Sequence, residues 1–233
     1  MSLILGKTEL KPIATNAKGA FVTINGEMYY QIVGYDAMQP FFISIASDTN
    51  LWMYLASNGG LTAGRTNPDM ALFPYYTDDK ITESAENTGS KTIFHIHKGG
   101  KQYLWEPFSN RHQGAYLIER TIAKSVVGNR IVFSEKNCDL ELTFRYSWSS
   151  ADEFGWVRKC VLQNDSAASV EVELVDGLQN VLPSGIDHHT QNTFSALVDA
   201  YKKTELVADA SLALFRMESI LVDRAEPSEL LKA

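Results

Sequence analysis

Apolar and polar residues alternate along most of this chain, and the alternation is sharpest between Cys138 and Trp148. There Cys138, Leu140, Leu142, Phe144, Tyr146 and Trp148 share one parity, and Asp139, Glu141, Thr143, Arg145 and Ser147 the other. A period of two sends one set toward a core and the other toward water, so the pattern predicts a strand over 138–148. Shorter apolar runs at 19–24 and 27–33 flank Asn25-Gly26, a strong hairpin signal. Further strands are expected at 41–47 and 51–56 around Asp48-Thr49-Asn50, and at 91–97 and 101–105 around Lys98-Gly99-Gly100. Others are expected at 115–127 and 130–134 around Gly128-Asn129, at 155–163 and 169–175 around Asn164-Asp165-Ser166, and at 211–222. Residues 177–185 read as a loop or short helical turn. Only 190–203, with Phe194, Leu197, Val198 and Tyr201, carries helical spacing. Many short strands separated by turn signals predict an all-β fold, a large antiparallel β-sandwich with at most one or two short helices. At 233 residues a single sandwich domain is the expected organisation.

The run 51–56 is apolar on both parities, so it reads as an interior strand. After it comes a segment rich in turn formers and aromatics: Asn58-Gly59-Gly60, Arg65, Asn67-Pro68-Asp69, Phe73-Pro74-Tyr75-Tyr76 and Asp78-Asp79. A long loop of this composition is expected to be functional, leaving the sandwich without contributing strand hydrogen bonds. Residues 59–66 spell G-x-x-x-x-G-R-T, close to a phosphate-binding P-loop, but Pro68 and Pro74 forbid the helix that such a loop requires. A single phosphate on the Arg65 guanidinium is compatible with the sequence.

The order Ser57-Asn58-Gly59-Gly60, Thr62, Gly64-Arg65, Asn67, Leu72-Phe73-Pro74-Tyr75 and Asp78-Asp79 resembles the N-terminal domain of the cellobiose and chitobiose phosphorylases. It departs from that family where Phe73-Pro74-Tyr75 replaces Thr-Pro-Trp and where Asp78 replaces asparagine. The resemblance spans roughly residues 19–222 and implies the supersandwich of galactose-mutarotase-like domains. In the family that sandwich precedes a helical barrel carrying the catalytic acid, with inorganic phosphate as nucleophile. No such barrel fits in 233 residues, so the chain is expected to be the N-terminal part of a longer enzyme or a truncated relative. On this reading Asn58, Gly59, Gly60, Arg65, Asn67, Tyr75, Tyr76, Asp78 and Asp79 bind substrate, and no catalytic residue or cofactor is assigned. The partners implied are an oligosaccharide or sugar phosphate, inorganic phosphate and the C-terminal barrel of the same polypeptide, with a homodimer left open. A free-standing carbohydrate-binding module and a mutarotase-like enzyme are the alternatives.

Composition narrows the rest. A net charge of −7, with no dense Lys/Arg cluster, argues against nucleic acid. No apolar run reaches the roughly 18 residues of a membrane span. Cys138 and Cys160 lack CxxC spacing and are expected as buried free thiols, which suits a cytoplasmic setting. His95 and His97 share a strand face but have no third ligand at sequence spacing, so no metal is expected there. His188-His189 reads as an exposed loop pair. Asp78 and Asp79 are adjacent, which does not suit carboxylates that must flank a glycosidic bond.

Overall fold

The Asn25-Gly26 hairpin forms as expected: both residues adopt positive φ (51° and 84°), the backbone that a tight two-residue reversal needs. The structure is a computed structural model describing residues 3–153, 155–207 and 211–219. Its strands are β1 (Ile4–Leu5), β2 (Thr8–Glu9), β3 (Lys18–Ile24), β4 (Glu27–Val33), β5 (Phe42–Ile45), β6 (Leu51–Ala56), β7 (Leu61–Arg65) and β8 (Gly89–Lys98). They continue with β9 (Lys101–Trp105), β10 (Ile118–Ser125), β11 (Arg130–Asn137), β12 (Leu142–Ala151), β13 (Gly155–Asn164), β14 (Glu171–Gln179), β15 (Lys202–Val207) and β16 (Leu212–Met217). Among the described residues α-helix is confined to one turn, α1 (Asp78–Ile81), and to the short pair α2 (His188–Thr193) and α3 (Ser195–Tyr201), with 3-10 turns at Tyr35–Ala37, Pro68–Met70 and Thr82–Ser84. The fold is all-β and antiparallel.

A six-stranded sheet runs in the order β13-β12-β11-β10-β4-β3, and two three-stranded sheets run β5-β6-β7 and β14-β8-β9. One apolar cluster joins all three, with Met53, Leu55 and Leu61 from the second, Phe94 and Trp105 from the third, and Phe133, Leu142 and Phe144 from the first. Phe94 meets Phe144 edge-on across the layers, with ring centroids 5.2 Å apart. In β12 Leu142, Phe144, Tyr146 and Trp148 are buried and Arg145 and Ser147 half-buried as expected, but Thr143, expected on the wet face, is buried too, its hydroxyl donating to Asp165 Oδ2 (2.5 Å).

Three expectations need correction. Residues 138–141 are not strand but the turn between β11 and β12, where Glu141 takes a φ of 54°. Residues 177–179 extend β14 instead of forming a loop. The thiols are free but not buried: Cys138 lies half-buried in that turn, and Cys160 is exposed. Cys160 stands opposite Tyr146 on the inner face of β13, but among the described strands β13 is the last of its sheet, with none beyond it to cover its rim. The strand expected over 211–222 is seen as β16, and residues 220–222 lie outside the described residues. Among the described residues no helix is long and apolar enough to cross a membrane.

Candidate functional site

Ion pairing inside the sandwich organises a polar region around Arg120 and Glu135. Arg120 of β10 and Glu135 of β11 stand opposite each other in register. Both lie in phase with core residues, Ile122 on one strand and Ile131 and Phe133 on the other, so both charges point inward. Glu135 is only 1% exposed and accepts from Arg120 Nε (2.8 Å), Trp105 Nε1 (2.8 Å) and the Phe108 amide (2.6 Å). Arg120 spends its other nitrogens on Asn110 Oδ1 (3.1 Å) and the Ser109 carbonyl (3.0 Å). Burial alone would favour a neutral Arg120, but Glu135 beside it keeps the guanidinium charged.

These bonds hold the segment 106–117 over the pair. Phe108 adopts a φ of 64°, rare for a residue with a Cβ, and this aims its amide at Glu135. Glu86 holds the segment from outside: it accepts from the Asn110 amide (3.0 Å) and pairs with Lys91 (3.0 Å) and Arg111 (3.4 Å). Burial pushes the Glu86 carboxyl up, but these donors outweigh it and hold the group below its ordinary value. Lys91 also pairs with Glu106, and His112 Nε2 lies 3.5 Å from Glu106 Oε2.

Two cavities meet at Arg120. The larger, about 250 Å³, is walled by Tyr35, Asp36, Ser57, Asn58, Phe108 and Asn110, with Met38 and Pro40 at its apolar side. The smaller, about 30 Å³, adjoins it through Asp36, Gln113 and Arg120 and reaches Glu106, His112 and Glu135. Tyr35 is buried, which pushes its phenol far above the ordinary range, so it stays a neutral donor. Asp36 Oδ1 is buried without a hydrogen-bond partner among the described residues.

The residues singled out from sequence do not converge on one place. Residues 61–65 are not loop: they form β7, paired with β6 from Leu51↔Arg65 to Leu55↔Leu61 and buried except at Arg65. The reason is steric as much as apolar. Gly64 lets Trp52 and the Met70–Ala71 backbone approach where any side chain would collide. Asn58, Gly59 and Gly60 therefore sit at one end of β7 and Arg65 and Asn67 at the other, roughly 17 Å away at the rise of an extended chain. Of the residues expected to bind substrate, Asn58 alone among the described residues lines the cleft, and its Nδ2 also donates to the Thr82 carbonyl (2.8 Å).

The remainder have mainly local partners. Asn67 Oδ1 caps the 3-10 turn Pro68–Met70 by accepting from the Asp69 amide (3.1 Å). Tyr75 packs edge-on to Trp52 and His188, and Tyr76 reaches Thr88 (3.5 Å). Arg65 is exposed, and its side chain has no ion pair or hydrogen bond among the described residues. Asp78 and Asp79 begin α1, and their side chains lie outside the described residues. His188 and His189 are not in a loop but open α2, which Asp187 caps through the Thr190 amide (2.7 Å).

Sequence reasoning missed Arg120, Glu135 and Asp36, although the first two carried a signal. A charged residue in phase with the buried parity of a strand must have a partner inside. A second omission is nonlocal: antiparallel pairing of β14 with β8 sets Glu173 opposite His95 and Glu171 opposite His97. His95, His97 and Glu173 thus bring three potential ligand atoms within 4.8 Å of one another, so a third candidate donor stands across strands.

The chain matches no family model and no curated protein.

Proposed function

We propose that this chain is the sugar-binding β-sandwich domain of a carbohydrate-active enzyme, and that the Arg120 cleft takes one ring of an oligosaccharide. The observation that carries the reading is the convergence of Asp36, Asn58, Asn110 and Gln113 with the Phe108 ring on one cavity of about 250 Å³ beside Arg120. The cavity is lined by the groups a hydroxylated ring needs: the Asn58, Asn110 and Gln113 amides and the Tyr35 phenol, with Phe108, Met38 and Pro40 for the apolar ring face. A volume of about 250 Å³ lies just under the roughly 300–1,000 Å³ of drug-sized pockets, which suits one ring and not an extended chain. Charge favours a neutral ligand. Arg120 is already paired with Glu135, and Asp36 adds a further negative charge, so a sugar ring fits better than a sugar phosphate.

Phosphorolysis or hydrolysis of a β-linked oligosaccharide remains the reaction class implied by the phosphorylase resemblance, with the general acid on a catalytic barrel outside this chain. The pairing of His112 with Glu106 favours a second reading, a mutarotase-like enzyme using a histidine and a carboxylate. That pair borders the cavity of about 30 Å³, room for about one water, so it does not reach a ring in the larger cleft.

Amide chemical-shift mapping with cello- and chito-oligosaccharides tests the proposal. Shifts confined to residues 35–40, 57–58 and 108–113, lost in Asp36→Asn with the melting temperature retained, are the expected result. Shifts elsewhere, or none at saturating sugar, overturn it. Ring-opening turnover of a free sugar by the isolated chain would instead favour the mutarotase-like reading.

A further inference from the structure

We propose that His95, His97 and Glu173 form a binding site for a divalent ion of the zinc, nickel or copper class on the outer face of the β14-β8-β9 sheet. The placement follows from strand geometry. His95 and His97 are two apart on β8 and point the same way, their ring centroids 4.5 Å apart. The register of β14 supplies the carboxylate: Glu173 lies opposite His95, and its Oε2 is 2.9 Å from His95 Nδ1. The alternating partners Phe94 and Ile96 are buried, which fixes the strand so that the imidazoles cannot turn inward.

Ligand type selects the ion. Two imidazoles and one carboxylate suit borderline divalent metals, whereas magnesium and calcium take oxygen ligands. Bonds of about 2.0–2.2 Å hold the ligand atoms of a tetrahedral ion roughly 3.3 Å apart. The three atoms here are within 4.8 Å of one another, and the side chains of His95 and Glu173 are 38% and 70% exposed, so small rotations close the difference. Three protein ligands leave a fourth position for water. Glu171, opposite His97, adds negative charge beside the ion.

The ion would clip an edge. Among the described strands β14 pairs only with β8, and a metal bridging the two closes a long intervening loop, which constrains the unfolded chain. Bound zinc is therefore expected to raise the melting temperature.

Calorimetric titration of zinc chloride into tag-free, chelator-treated protein is the test, with cobalt substitution as a spectroscopic readout. One equivalent is expected to bind and to give tetrahedral cobalt bands. His97→Ala and Glu173→Gln are each expected to weaken binding at least about tenfold and to remove the bands, while His188→Ala changes neither. Zinc should raise the melting temperature of the unaltered chain but not of His97→Ala. No binding by the unaltered chain, or equal binding by His97→Ala, overturns the site. Loss in His97→Ala with full retention in Glu173→Gln also overturns it, leaving only a two-histidine chelate. Glu173→Gln alters an exposed side chain, so the test stands even where a histidine variant fails to fold.

Discussion

Arg158 and Asp176 join the two layers of the sandwich at its open side. Arg158, on β13 at the end of the six-stranded sheet, grips Asp176, on β14 at the end of the opposite sheet, through Nη1–Oδ2 (2.7 Å) and Nη2–Oδ1 (3.0 Å). Thr92 Oγ1 adds a bond to Asp176 Oδ1 (2.5 Å), and the guanidinium lies 5.3 Å from the Tyr146 ring centroid. A two-pronged contact of this kind fixes direction as well as distance.

Asp176→Asn is expected to cost about 2 kcal/mol in urea unfolding at neutral pH. Burial pushes the Asp176 carboxyl up, but the bonds from Arg158 and Thr92 outweigh it and hold the group below its ordinary 3.8. A depressed carboxyl contributes stability that is fully present above the unfolded value and is lost as the pH falls through the lower folded one. The unaltered protein should thus lose stability below about pH 4, and Asp176→Asn should show a shallower acid limb. Parallel acid limbs for the two proteins would remove Asp176 from the account.

Glu135→Ala leaves a buried guanidinium, an indole N–H and the Phe108 amide without their shared acceptor. Removing one partner of a buried pair costs about 3–5 kcal/mol, and Glu135→Gln, which keeps an acceptor oxygen, should cost less. A change within about 0.5 kcal/mol for Glu135→Ala, typical of surface positions, would contradict the burial argument.

What was legible in the sequence depended on how local its cause was. Asn25-Gly26 announced its hairpin because the positive φ values it adopts are written into the residue types. β12 was readable because Leu142, Phe144, Tyr146 and Trp148 keep strict parity. β7 was not: Leu61-Thr62-Ala63-Gly64-Arg65 holds two small residues and one β-branched one, a composition that resembles a loop. Its strand character comes from pairing with β6 and from the small cross-section of Gly64 beneath Trp52. The Asp36 cleft and the His95–Glu173 contact were hidden for a related reason, since each assembles from elements that only tertiary pairing brings together.

The two glycines before β7 should fail differently. A Cβ on Gly60 would sit 2.0 Å from the Ile81 carbonyl oxygen, while one on Gly59 meets open space at a φ of +96°. Gly59→Ala is expected to cost about 1–2 kcal/mol through backbone strain alone. Gly60→Ala should cost a similar or larger amount, about 1–3 kcal/mol, by displacing the turn at 81–84. Hydrogen exchange should separate them, with faster exchange at Asn87 and Thr88, whose amides bond to Ser84, in the Gly60 variant only.

Arg65→Ala should leave stability within about 0.5 kcal/mol, because its exposed side chain has no ion pair or hydrogen bond among the described residues. If, as proposed above, Arg65 holds phosphate or sugar in a site shared with a catalytic barrel, Arg65→Ala should lower kcat/KM roughly ten- to a hundredfold in a protein that carries both. A lowered melting temperature with normal turnover would make it a brace of the fold instead.

The bridge at the open side also bears on how the molecule behaves in company. β13 and β14 each pair on one flank only among the described strands, so both present rows of free backbone donors and acceptors. Their side chains are opposite in sign, Arg158 and Lys159 on one and Glu171, Glu173 and Asp176 on the other. Held together by Arg158 and Asp176, the two flanks neutralise each other within one chain. Released, the same complementarity would let the β13 of one molecule recruit the β14 of the next, a head-to-tail contact that propagates from molecule to molecule unless its rotation closes a ring. The pair thus sets a threshold for self-association, and light scattering of concentrated Asp176→Asn should find that threshold lowered.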